Sequence, residues 1–499
     1  MASTPRLKHV DLTQGPITRT LIVFSLPVLG TSVLQSLNGS VNAIWVGRLL
    51  GEQALTATAN ATLILMFMLG AVFGVGMAAT ILVGQAVGAK KHGEVKRIVG
   101  TAMTFFVILS AVVAVAGYTL SEPILRLMQT PPDVIPFAVT YLQVIFLALP
   151  FMFVSALLIM IQRGAGDAKT PFRFSILAVS LDIAFNPLLI LGVGPLPEMG
   201  IAGAAMSTLV SQLISMVVMV TYLYWRKSEI VLYRGELHHL KPDPAIMKAL
   251  VFKGLPMGAQ MLVVSISAVV MMAMINSYGA TTAAAYAVAM QLWTYLQMPA
   301  MSIGMGVSSF AAQNVGAKRW DRVDATARSG VGINVALTGA LIVLLYIVDP
   351  YLVGVFLPDA PEAVVLAEHI NTIAAWAYVA LGVMFVLFGV VRATGAVLPP
   401  LLIMAISLFA VRIGFAVLLQ PSWGADAIWW SFPVSMMTAM LLSMAYYRWG
   451  NWRKSRMAPA HVEEAPDTGA GAAGIDATAA NAVAIDDEPQ RDEKSPQQA

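Results

Sequence analysis

Gly84-Gln-Ala-Val-Gly-Ala-Lys90 and Ala312-Gln-Asn-Val-Gly-Ala-Lys318 spell nearly the same seven residues, 228 positions apart. Further matches fall at an offset of 229: Leu26-Pro27 with Leu255-Pro256, and Arg163, Gly166 and Pro171 with Arg392, Gly395 and Pro400. Chance does not place this many agreements on one offset, so the chain is an internal duplication. Each half must hold the same elements in the same order.

Charge says what those elements are. Of 499 residues, 58% are apolar and only 11% charged, against about 25% charged in an average soluble domain. The charges sit in short clusters between long uncharged runs. A hydrocarbon core about 30 Å thick needs roughly 20 apolar residues per helix, and twelve such runs begin near residues 17, 53, 98, 134, 171, 200, 246, 281, 330, 362, 397 and 424. No strand-like alternation competes with them. The first run follows Arg6, Lys8 and Arg19 and so looks like a signal peptide. It is nevertheless about 28 residues long, lacks a small-residue cleavage site and precedes eleven more spans, so it reads as a true helix. With no cysteine in the chain, disulfide frameworks, thiolate metal sites and cysteine nucleophiles are excluded.

An even six spans per half keeps both halves in one orientation. The expected architecture is therefore an all-α integral membrane protein of twelve transmembrane helices, in two six-helix lobes related by a pseudo-twofold axis along the membrane normal, with a cavity between them. The boundaries read as a first lobe over 1–225, a linker over 226–245, a second lobe over 246–456 and a tail over 457–499. That tail holds nine of the 27 acids and two of the 30 bases without apolar periodicity. It cannot bury enough surface to offset the entropy of ordering and is expected to be disordered.

Basic residues collect in alternate loops: Lys90, Lys91, Lys96 and Arg97; Arg163, Lys169 and Arg173; Arg226 to Lys253; Lys318 to Arg328; Arg392; and Arg448 to Arg456. The opposite loops hold only Arg48 and Arg126. Loops rich in lysine and arginine stay in the cytoplasm. Both termini are thus expected to be cytoplasmic, in a cell's inner (cytoplasmic) membrane.

Two repeated six-helix lobes, each opened by Leu-Pro and carrying Gln-x-x-Gly-Ala-Lys after its second helix, resemble the multidrug and toxic compound extrusion (MATE) transporters. Val46-Gly47-Arg48, Arg163-Gly-Ala-Gly-Asp-Ala-Lys-Thr-Pro171 and Asn186-Pro-Leu-Leu-Ile-Leu-Gly192 support the likeness, which covers residues 15 to 450. The resemblance implies secondary active efflux of amphipathic, usually cationic compounds, driven by inward flow of protons or sodium ions. It implies no cofactor beyond that coupling ion. Small-molecule substrates and membrane lipid are the expected partners, with no nucleic acid and a monomeric state.

Asp182 is the one acid read inside a span, and an ionisable group there usually faces the bundle interior and marks an ion or proton path. Asn186 lies one turn on, and Pro187 cannot donate to the Ile183 carbonyl. Gln35, Asn38 and Asn42 form a polar stripe on the first helix. The family pattern has an acid late in the first helix and, in the fifth, an Asn followed four residues on by an Asp. Here Asn42, Asp182 and Asn186 stand at those places, so any coupling rests mainly on Asp182. Coupling is accordingly expected at Asp182, Asn186, Asn42 and Asn38. Interhelical hydrogen bonding is the competing use of such groups, above all for the Ser207, Ser211 and Ser215 stripe.

Substrate-cavity candidates are Gln35, Asn60, Tyr286, Met290, Trp293 and Arg412. Nine methionines between Met257 and Met305, interleaved with aromatic residues, suit promiscuous binding, although core packing would use them equally well. Arg412, the base well inside a span, pairs with a carboxylate such as Asp182, snorkels outward, or holds an anionic substrate group. Pro27 and Pro256 are the expected helix hinges, with a static kink as the alternative.

The chain lacks GxxxxGK[ST], HExxH and GxSxG, which leaves an ATP-driven pump or membrane hydrolase without its chemistry. Two rivals to efflux remain at this stage. One is a lipid-linked precursor flippase of related fold, which would want several cavity bases. The other is a non-transporting membrane scaffold working through its acidic tail.

Overall fold

The computed structural model describes residues 10–194, 197–356 and 360–457. The acidic tail, from residue 458 on, lies outside them. A backbone in hydrocarbon must bond to itself, and the apolar runs accordingly form helices: α1 (Ile17–Leu50), α2 (Glu52–Gly88), α3 (His92–Leu127), α4 (Ile135–Gly164), α5 (Lys169–Leu191), α6 (Ile201–Trp225), α7 (Pro244–Asn276), α8 (Ala280–Gly316), α9 (Trp320–Phe356), α10 (Pro361–Ala393), α11 (Leu398–Trp423) and α12 (Asp426–Trp449). The result is an all-helical membrane protein of twelve helices in two lobes.

Among the described residues, ten helices are long and apolar enough to span a bilayer by composition alone. Helices α2, α8 and α9 have 37 residues each. Helix α8 is less apolar because its stretch from Ser302 to Asn314 is buried against protein rather than lipid. Helices α3 and α9 start earlier than their apolar runs, at His92 and Trp320. Their charged first turns stay helical beyond the hydrocarbon, where water tolerates the charge.

The duplication is visible in the backbone. Lys90 and Lys318 both adopt a left-handed conformation, with φ of 60° and 57°, and Gly166 and Gly395 do so at 94° and 96°. A lysine with positive φ is uncommon, so its recurrence at equivalent places is a signature of the repeat. Lys90 N donates to Val87 O at 2.9 Å, and Lys318 N to Val315 O at 3.0 Å. Gly166 and Gly395 are each covered by a chain end: an added Cβ would lie 2.5 Å from Val10 O at the first and 2.5 Å from Arg456 O at the second.

The halves join at the end of the bundle that carries the basic loops. There a single buried core runs from Leu12 through the first half and on to Ile303, Val307, Phe310, Val386 and Val390 of the second. A separate core, from Met271 to Met436, belongs wholly to the second half. At the joined end α2 and α8 approach through glycine: an added Cβ at Gly88 would sit 1.9 Å from Gln313 O, and one at Gly316 2.0 Å from Gln85 O. Gln313 also accepts from Leu12 N at 3.2 Å, and Arg322 Nη1 donates to Gly15 O at 3.2 Å, so the segment before α1 is strapped across the second half.

Between α6 and α7 the chain forms a short 3-10 turn, Arg234–Leu240, held on α3. Lys96 pairs with Glu236, Arg97 pairs with Asp243, and Thr104 Oγ1 donates to Leu240 O at 2.7 Å. Asp243 also caps α7, accepting from Ala245 N at 2.9 Å and Ile246 N at 3.2 Å, with Pro244 at the first helical position.

Candidate functional site

Two features stand in the bundle, one built on the first half and one mainly on the second. The first is built on α5. Asp182 and Asn186 are buried one turn apart on the same face, and the polar stripe of α1 meets them. Asn38 Nδ2 donates to Asp182 Oδ2 at 2.8 Å, and Asn186 Nδ2 donates to Asn42 Oδ1 at 2.7 Å. From α6, Ser207 Oγ reaches Asp182 Oδ1 at 2.6 Å and the Asp182 carbonyl at 2.8 Å, while Thr208 Oγ1 stands 3.4 Å from both carboxylate oxygens. Tyr141 of α4 closes the group beside Asn42 and Asp182. Among the described residues no lysine or arginine pairs with Asp182. Asn186 Oδ1 is buried without a partner.

The structure therefore brings Asn38, Asn42, Asp182 and Asn186 together as the sequence suggests. It adds Thr208 and Tyr141, which sequence reasoning missed because a threonine and a tyrosine within apolar runs carry no signal of their own. The serine stripe of α6 divides: Ser207 serves Asp182, Ser215 Oγ bonds the Phe174 carbonyl at 2.9 Å, and Ser211 Oγ is unpartnered.

The second feature is a cavity of about 350 Å³ walled by α7, α8, α10, α11 and α12, with Phe73 and Met77 of α2 at one end. Tyr286, Met290, Trp293 and Arg412 line it, as expected. Of the nine methionines between Met257 and Met305, six line it: Met257, Met261, Met271, Met290, Met301 and Met305. Trp293 is fixed by a buried chain, its Nε1 donating to Asn371 Oδ1 at 2.9 Å while Asn371 Nδ2 donates to Asp349 Oδ1 at 2.7 Å. Asp349 corrects the reading that placed only Asp182 within a span: α9 continues past Asp349 to Phe356, and this acid is buried too.

Gln35 and Asn60 are not among the lining residues. Gln35 is exposed on α1, one turn short of Asn38, and Asn60 Nδ2 is committed to Thr130 Oγ1 at 3.3 Å. Helix α1 contributes no lining residue, and Asn60 lies on α2 well before the Phe73 and Met77 stretch that does. Pairing of Arg412 with Asp182 is likewise corrected, since Asn38, Ser207 and Thr208 hold the carboxylate and among the described residues no cation pairs with it. Arg412 Nε donates to Ser435 Oγ at 2.9 Å and its guanidinium lies 4.5 Å from the Phe432 ring. Arg392, marked by the sequence only as a loop charge, lines the same cavity and bonds Gln260.

Pro27 lies within α1 and Pro256 within α7. Each removes one helical hydrogen bond at an equivalent place. In α11 the helix widens to π-type turns from Ile406 to Ile413, a stretch that contains Arg412.

Comparison with known proteins settles the class. The MatE family pattern matches this chain twice, at residues 27–188 and 256–418, once per half, so the chain belongs to the MatE family and is a transporter rather than an enzyme. It is 34% identical over 441 residues to the probable multidrug resistance protein YoeA of Bacillus subtilis, covering 88% of this chain and 95% of that one. A second protein of that organism, the probable multidrug resistance protein YpnP, is 32% identical over 461 residues, covering 90% and 99%. Among solved structures, a MATE protein in the bent conformation superposes with a TM-score of 0.82 at 18% identity over 89% of this chain and 97% of that one. An outward-facing multidrug resistance MATE family transporter gives 0.81 at 18% identity over 89% and 98%.

Proposed function

We propose that this protein is a multidrug exporter of a cytoplasmic (inner) membrane that exchanges amphipathic compounds, cationic ones among them, for inward-moving H+ or Na+. It works as a monomer, with both termini and the basic end of the bundle in the cytoplasm. Residues 1–225 and 246–456 form the two moving lobes, joined by the 226–245 linker. Pro27 and Pro256 serve as the bending points of α1 and α7. The names of the two Bacillus relatives support the cargo class, and the joining of the halves at the basic end supports an arrangement closed on that side.

The observation that carries the coupling reading is Asp182: an acid buried among Asn38, Ser207 and Thr208 donors, with no cation among the described residues to balance it. A packing contact would be made as well by a neutral amide. An unbalanced carboxylate inside a bundle is what a proton or a small hard cation requires, and the Asn42 and Asn186 amides supply further oxygens. Each charge crossing 100 mV contributes about 2.3 kcal/mol.

The test is transport of a fluorescent organic cation in proteoliposomes, with a proton or a sodium gradient imposed separately, for the natural chain and for Asp182→Asn. Gradient-driven uptake that the substitution abolishes is the expected result. Uptake that survives Asp182→Asn would move coupling elsewhere.

A further inference from the structure

Asp182 and Arg412 hold equivalent places in the two halves and carry opposite charge. Each stands six residues before the end of its family match, Leu188 and Leu418. The second match is one residue longer, and the π-type turns around Arg412 are where a helix takes up an added residue. Their surroundings correspond as well: setting Gly200 on Gly424 places Thr208 on Phe432 and Ser211 on Ser435. Thr208 faces Asp182, whereas Phe432 and Ser435 are residues that Arg412 touches.

A cation enclosed in a bundle needs a counter-charge. Among the described residues none serves Arg412, and no aspartate or glutamate lines its cavity. Ser435 occupies Nε, and among the described residues no protein acceptor bonds Nη1 or Nη2, with the Tyr286 and Tyr378 phenols nearby. A planar guanidinium with its outer fork free matches a carboxylate, sulfonate or phosphate in two parallel hydrogen bonds. The surrounding walls are methionine and aromatic, which accommodate varied apolar shapes. We infer that the second-half cavity is a binding site for amphiphiles carrying an anionic group, seated on the outer fork of Arg412 with the apolar body against Met290, Trp293 and Met436. That such a compound is cargo rests on the transport reading; that it binds does not.

The test is equilibrium binding of taurocholate to the full chain in phosphatidylcholine nanodiscs, followed by calorimetry. Saturable binding is expected, weakened at least tenfold by Arg412→Gln and less by Arg412→Lys, which keeps the charge and loses the fork. A thermal melt of each variant identifies loss of fold, and if Arg412→Gln unfolds, Arg412→Lys carries the comparison. Taurocholate bound equally by the natural chain and a folded Arg412 variant would overturn the site, as would tetraphenylphosphonium losing as much affinity as taurocholate. Phosphatidylglycerol added to the nanodiscs separates the sources of the anion. Competition that depends on Arg412 supports a lipid headgroup as occupant, and its absence supports a water-soluble anionic amphiphile. Equilibrium binding needs no ion gradient, so its outcome is independent of the Asp182→Asn transport assay.

Discussion

Gln85 and Gln313 are equivalent residues of the two halves, and each bonds the other half: Gln85 Nε2 donates to Ala393 O at 2.7 Å and Gln313 Nε2 to Gly164 O at 2.9 Å. The acceptors are themselves the carbonyls one residue beyond the equivalent arginines, Arg392 and Arg163. Two crossed hydrogen bonds of this kind can be made only while the basic ends of the lobes are together. They are lost when the lobes part.

Gln313→Ala leaves the Gly164 carbonyl and the Leu12 amide without their partner, at a cost of ~1–3 kcal/mol to the closed end. The chain has no native cysteine, so a single Ala86→Cys probe reports on that end cleanly. Labelling by a maleimide reagent from the basic side is expected to be several-fold faster with Gln313→Ala than without it. Equal rates would show that the crossed bonds do not hold the lobes.

At Gly88 the obstacle to an added side chain is backbone, Gln313 O at 1.9 Å, and backbone cannot rotate aside. Gly88→Val should destabilise the protein by more than about 2 kcal/mol or trap it with the basic end open. Gly339 has nothing within 4 Å of its added Cβ, so Gly339→Ala is the control. Thermal melting and proteoliposome transport on both variants settle the matter, the expectation being loss for the first and neither for the second.

Ser207 donates to both the carboxylate and the carbonyl of Asp182, whereas Ser211 one turn on bonds nothing. Ser207→Ala is therefore expected to lower gradient-driven transport strongly and Ser211→Ala hardly at all. Similar losses from the two would mean that the stripe acts only in packing.

The segment between α6 and α7 titrates. Burial pushes the Glu236 carboxyl up, but the hydrogen bond and charge of Lys96 pull it below the usual carboxylate range. At Asp243 burial likewise acts upward, and the Arg97 pair with the α7 cap bonds outweighs it. A carboxyl lowered on folding stabilises above its unfolded value, near 4, and that contribution is lost as pH falls through the folded value. Hydrogen exchange over 226–243 should be slow at pH 7 and should accelerate below about pH 4, after correction for intrinsic rates. Glu236→Gln should remove much of that dependence.

Much of the architecture is legible in the residues because hydrocarbon imposes one rule on every span: the backbone must be helical, and charge must stay out. Twelve apolar runs became twelve helices, the exceptions being their charged ends, where water relaxes the rule, and the few charges held inside, Asp182, Asp349 and Arg412. The Asp182 cluster was legible for a related reason, since Asn38, Asn42 and Asn186 are expensive in lipid and repeat at helical spacing. Tyr141 and Thr208 were not, because their placement depends on which face of α4 and α6 packs against α5.

Composition and spacing alone establish the duplicated all-helical plan, the polar stripe of α1 and the presence of Arg412 within a span, because each follows from local cost or from repetition along the chain. Which helices wall the cavity, why Gln35 and Asn60 stand outside it, and that Arg412 faces Phe432 and Ser435 rather than Asp182 follow from helix packing. A helix can be rotated about its axis without changing its sequence, and only its neighbours fix which face they cover.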